Sequence, residues 1–93
     1  MSAIKEMVEQ QCASSPEFAT EYQRERERLD AAVALMELRR EEGMTQRQLA
    51  AATGKTQATI ARIENGSMNP SVKLLKEIAV ALDRRLEFRF VKS

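Results

Sequence analysis

Apolar residues recur at helical spacing along most of this chain, and the period changes only near the C-terminus. Ile4, Met7 and Val8 mark one face of a short amphipathic helix that ends near Cys12. Ser14, Ser15 and Pro16 then punctuate the chain, with Ser15 placed as an N-cap, Pro16 at the first helical position and Glu17 where its charge suits the helix dipole. No glycine or proline intervenes from Glu17 to Glu42, so one long helix fits this stretch, as do two helices divided between Arg28 and Asp30. The first half carries opposite charges three residues apart, Glu21 with Arg24, Arg24 with Glu27 and Glu25 with Arg28. In the second half Leu29, Ala32, Val33 and Met36 form an apolar face expected to meet the rest of the domain, and Gly43 ends the helix.

Residues 45–66, TQRQLAAATGKTQATIARIENG, predict two short helices joined by a tight turn. Thr45 and Gln48 have the spacing of a capping box, in which hydroxyl and amide satisfy free backbone N–H groups at a helix start. Gly54 supplies the positive φ that a sharp helix–helix turn requires. Thr56 is the next N-cap, Ile60 and Ile63 form an apolar seam, and Asn65 with Gly66 closes the helix. With that seam turned inward, Gln57, Ala58, Thr59, Ala61 and Arg62 are left to face outward. Met44 and Met68 flank the unit as packing residues.

Asn69 and Pro70 then make a turn, and Ser71 caps a helix carrying Val72, Leu74, Leu75, Ile78, Ala79 and Leu82. In the tail, Leu86, Phe88 and Phe90 alternate with Arg85, Glu87 and Arg89, which is a strand pattern. An isolated strand leaves its backbone groups unpaired, so this one is expected to pair with its own two-fold copy or to join a partner's sheet. The expected architecture is all-α with five helices: an N-terminal helical arm over 1–29, a compact domain over 30–82, and a C-terminal strand and tail over 83–93 used in dimer pairing.

Composition narrows the chemistry. A chain of 93 residues forms one small domain, for which a dimer adds useful burial. One cysteine and no histidine leave neither a disulfide framework nor a conventional structural zinc site, and Cys12 reads as a small apolar helix residue. With no histidine base and no phosphate-binding glycine loop, an enzyme is not expected, nor is a cofactor. No apolar run approaches membrane-spanning length and MSAIKEMVEQ lacks a signal-peptide core, so a cytoplasmic protein without membrane association is expected. Residues 1–30 hold four basic and seven acidic side chains, a net −3, whereas the remainder holds eleven and seven, a net +4. That split suits an acidic arm joined to a module that faces DNA.

TQRQLAAATGKTQATIARIENG resembles the helix-turn-helix of the Cro/Xre family of phage-type repressors, with Thr45, Gln46, Leu49, Ala50, Gly54, Gln57, Ile60, Ile63, Glu64, Asn65 and Gly66 in register. The resemblance extends over residues 30–82 and implies that the second motif helix enters the major groove of double-stranded operator DNA. Carried over, Thr56, Gln57, Ala58 and Arg62 face the bases. Gln57 suits a bidentate contact to adenine, Arg62 one to guanine, and Ala58 an apolar contact such as a thymine methyl. Gln46, Lys55, Asn65 and Ser67 suit phosphate contacts, with Arg47 and Lys73 as additions. Arg39 and Glu64 match a structural pair of the phage repressors that holds the recognition helix, here expected at the surface.

The flanks make the chain most similar to HigA-like antitoxins, which accompany RelE-like ribonuclease toxins. That resemblance implies a homodimer that represses its own operon and binds a cognate RelE-like toxin directly. Phe18, Glu21, Tyr22 and Glu25, on one face of the acidic arm, are the candidate toxin contacts, and Leu86, Phe88 and Phe90 the candidate dimer strand. Two other readings use the same fold: a stand-alone Cro-like repressor without a toxin, and a protein-binding adaptor that has lost DNA binding.

Overall fold

The computed structural model describes residues 16–92. Among them are four helices and no strand: α1 (Pro16–Glu41), α2 (Gln46–Thr53), α3 (Gln57–Glu64) and α4 (Val72–Ala81). The helix expected around Ile4–Cys12 lies outside the described residues.

Helix α1 runs unbroken for 26 residues, so Arg28–Asp30 is not a boundary. At about 1.5 Å per residue it is about 39 Å long, against a longest molecular dimension of 45 Å. Only its C-terminal half meets the other helices, through buried Ala32 and Leu35 with Ala31 and Leu38 beside them. The expected face was partly wrong: Leu29 and Val33 are 61% and 42% exposed. The helix carries two overlapping apolar stripes, and its rotation is set where Arg39, one turn beyond Leu35, grips Glu64 of α3.

The two motif helices form as their caps dictate. The Thr45 hydroxyl accepts from the Gln48 N–H at 3.1 Å while the Gln48 side chain accepts from the Thr45 N–H at 2.9 Å, a complete capping box. Gly54 ends α2 with φ of 69°, left-handed backbone that a side chain would strain. Thr56 starts α3 and Ser71 starts α4, each hydroxyl accepting from a backbone N–H three residues on, at 3.1 Å.

Leu49, Ile60, Ile63 and Ile78 are the largest fully enclosed side chains and bring α2, α3 and α4 together beneath α1. Each contributes about 1.5–3 kcal/mol by burial. Met44, Met68, Leu74 and Leu82 pack around them, so Met44 and Met68 serve as packing residues. Val72, expected inside, is 49% exposed.

After α4 the chain turns through Asp83, whose φ is 56°, and the Arg84 N–H donates to the Ala79 carbonyl at 2.8 Å. The Arg84 side chain then reaches back to α1 and its C-terminal turn, with 2.9 Å contacts to both Glu41 and Glu42. Beyond Arg84 no strand forms among the described residues, contrary to the alternating pattern. A strand is defined by the ladder it pairs with. Within one all-helical chain, Leu86, Phe88 and Phe90 have no strand beside them.

Candidate nucleic-acid interface

Helix α3 turns two residues fully inward and three outward, while Thr59 and Ala61, expected outside, are half-buried. Ile60 and Ile63 are fully buried, while Gln57, Ala58 and Arg62 are exposed. Among the described residues, the Gln57 and Arg62 side chains make no hydrogen bond or ion pair. They stand on the first two turns of a helix that Thr56 caps. Thr56 caps the helix as its position implied, and its hydroxyl lies 2.9 Å from the Thr59 hydroxyl. Its remaining hydrogen-bonding capacity is correspondingly small.

The inner end of α3 is held by a three-helix cluster. Arg39 donates from Nε and Nη2 to the two oxygens of Glu64, at 2.9 and 3.1 Å. Its Nη1 also donates to the Met44 carbonyl at 3.2 Å. The Glu64 side chain is only 5% exposed, so the pair is largely enclosed rather than a surface contact. The hydrogen bond to Glu64 raises the Arg39 pKa above the ordinary arginine range, against a smaller lowering by burial.

Gln46 completes the cluster: its Nε2 donates to Glu64 at 3.2 Å. The sequence offered Gln46 as a phosphate contact and did not indicate this bond. At the first position of α2 it faces the end of α3 across the motif, a proximity that only the folded turn creates. One amide proton and the carbonyl remain for an outside ligand.

The other phosphate candidates are spread around the motif. Lys55, in the turn between α2 and α3, lies 3.4 Å from Glu77 of α4 in an exposed pair. Asn65 and Ser67 close α3 together, the Asn65 side-chain oxygen accepting the Ser67 N–H at 2.9 Å and the Ser67 hydroxyl as well. Arg47 and Lys73 are exposed. Thus Gln57, Ala58 and Arg62 share one helix, whereas Lys55 belongs to the turn before it and Asn65 and Ser67 to the turn after it.

The geometry is that of two helices set across a glycine turn with the second presenting an unpartnered polar face. The family model for helix-turn-helix proteins matches residues 35–88, more than half of the chain. The chain belongs to the helix-turn-helix family. An uncharacterized HTH-type transcriptional regulator from Archaeoglobus fulgidus is 39% identical over 57 residues, which make up 61% of this chain and 81% of that protein. No solved structure gave a significant match.

For a helix-turn-helix protein, α2 is the helix that crosses the DNA backbone and α3 is the recognition helix. The match covers the C-terminal part of α1 and all of α2, α3 and α4. Residues 16–34 lie before it. There Phe18 and Tyr22 stack with ring centroids 6.5 Å apart, and Glu25 pairs with Arg28. Asn69, after the recognition helix, donates to Glu27 at 2.9 Å and ties the loop to the arm. None of the helices among the described residues is long and apolar enough to cross a membrane.

Proposed function

We propose that this chain is a sequence-specific operator-binding repressor that acts as a homodimer and serves as the antitoxin of a RelE-like ribonuclease toxin. The observation that carries the DNA reading is the exposed face of α3, where Gln57 and Arg62 stand unpartnered above a fully buried Ile60–Ile63 seam. Gln57 reads adenine and Arg62 guanine through paired hydrogen bonds, and Ala58 packs on an apolar base edge. Thr56 serves first as the cap that aims the helix. Lys55, Asn65, Ser67 and the free valences of Gln46 meet phosphates, which fix register without reading sequence.

The antitoxin role rests on the arm. Its N-terminal half lies outside the buried core and carries the Phe18–Tyr22 stack beside Glu21 and Glu25, an aromatic and acidic surface suited to a basic protein. Charge of that sign repels DNA, so the arm and α3 serve different partners. Binding both, the chain couples repression to toxin level, in the cytoplasm where operator and toxin meet.

Co-expression with the small proteins encoded immediately upstream and downstream tests this role. One neighbour should arrest growth alone, co-purify with this chain and be neutralised by it. If neither neighbour is toxic nor bound, the chain is a stand-alone repressor.

A further inference from the structure

The tail combines a fixed start with an unpaired remainder. Arg84 is anchored by Glu41 and Glu42, both at 2.9 Å, so residues 85–91 form the first stretch not tied to the domain by its backbone. Over that stretch Arg85 and Glu87 lie 3.7 Å apart on one side. Phe88 lies toward α4, where the Lys76 ammonium is 5.5 Å from its ring centroid. One helical turn to either side of Lys76, Val72 and Val80 are 49% and 74% exposed, and Phe90 is wholly exposed. Tail and helix thus share an uncovered apolar surface.

Charge along the tail selects what covers it. In an antiparallel pair of identical strands, facing residues must come from the same side of the ribbon, which restricts the two-fold axis to pass through a residue. An axis through Glu87 sets Glu87 against itself and Arg85 against Arg89, all like charges. An axis through Leu86 sets Arg85 opposite Glu87, which charge allows, but it also places Arg84 opposite Phe88, and Arg84 is held by α1. An axis through Phe88 sets Glu87 opposite Arg89 twice, Leu86 opposite Phe90 twice, and Phe88 opposite itself. It is also the midpoint of 85–91, so every free tail residue finds a counterpart.

We propose that residues 85–91 pair antiparallel with a second copy of this chain, with Phe88 on the two-fold axis and Glu87 facing Arg89 of the other copy. This rests on the homodimer reading above and specifies its register. The paired tails form a two-stranded ribbon whose aromatic side lies toward α4 of each copy. Val72 and Val80 flank the point where Phe88 already touches that helix. The ribbon couples the two recognition helices, because each strand leaves its domain at the clamp between Arg84 and α1.

Charge reversal in the full chain, read by sedimentation equilibrium, tests the register, since Glu87 and Arg89 are both exposed. Glu87→Arg and Arg89→Glu should each weaken dimerisation about ten-fold, since two facing pairs become repulsive. The double variant should return to within about three-fold of wild type. With Cys12→Ser in the background, Phe88→Cys should cross-link two chains on mild oxidation. A dimer indifferent to both reversals and to the Phe88→Cys cross-link overturns the register while leaving the homodimer standing. A wild-type chain that stays monomeric at all concentrations overturns both.

Discussion

Glu64, the last residue of the recognition helix, has a side chain only 5% exposed that receives two hydrogen bonds from Arg39 of α1, at 2.9 and 3.1 Å. Together they fix the rotation of α1 and the inner end of α3. The polar face of α3 is therefore presented at a set angle before DNA arrives, which lowers the ordering cost of binding.

Replacing Arg39 tests that bracing. Lysine keeps the charge but lacks the planar fork that meets both carboxylate oxygens. Arg39→Lys should melt below wild type and Arg39→Ala lower still, by circular dichroism. Both should bind operator more weakly with unchanged base preference, because neither touches the outer face of α3.

The turn between the motif helices makes a separate prediction. A Cβ on Gly54 would meet nothing within 4 Å, so the effect of Gly54→Ala comes from its φ of 69° alone. Left-handed backbone costs an alanine about 1–2 kcal/mol, which chemical denaturation should show as a shifted midpoint with an unchanged slope.

Ile60 lies beneath the exposed polar face of α3 and is fully enclosed. Ile60→Ala should remove about 2–5 kcal/mol, a large share of the roughly 5–15 kcal/mol available to a small domain. Thr45→Ala, which loses one half of the capping box, should cost about 1 kcal/mol. Equilibrium unfolding of the two variants should separate them clearly.

These sites were legible in the sequence because local chemistry specifies them. Thr45 with Gln48, Gly54, and the Ile60–Ile63 spacing each dictate a cap, a turn or a buried face with little help from the rest of the fold. What the sequence obscured depends on contacts between distant elements. Leu29 and Val33 looked as suitable for the core as Ala32 and Leu35, and the choice was made by Arg39 meeting Glu64 twenty-five positions away. Gln46 joined that cluster for the same reason. The alternating tail has the period of a strand, but period records only which faces differ, while a ladder also needs a neighbouring strand.

The arm and the DNA face should separate by mutation. Phe18→Ala with Tyr22→Ala should abolish co-purification with the proposed toxin yet leave base preference unchanged, since Gln57 and Arg62 stand on a different helix, although Tyr22 borders the same cleft as Asn65. Pull-down and operator titration on the same preparations give both readouts.

Phosphate and base contacts should separate as well. Lys55→Ala should weaken binding to all DNA sequences similarly and reduce the salt slope by about one, as expected for the loss of one phosphate contact. The variant also loses its exposed pair with Glu77, which contributes under about 1 kcal/mol.

The most direct test of the central claim selects an operator from randomised duplex DNA with the wild-type chain, then measures Arg62→Ala against every single-base variant of it. Arg62→Ala should lose about 1–3 kcal/mol of discrimination at one guanine in each half-site and keep its other preferences. An unchanged preference at every position would contradict the assignment of this face of α3 to the bases.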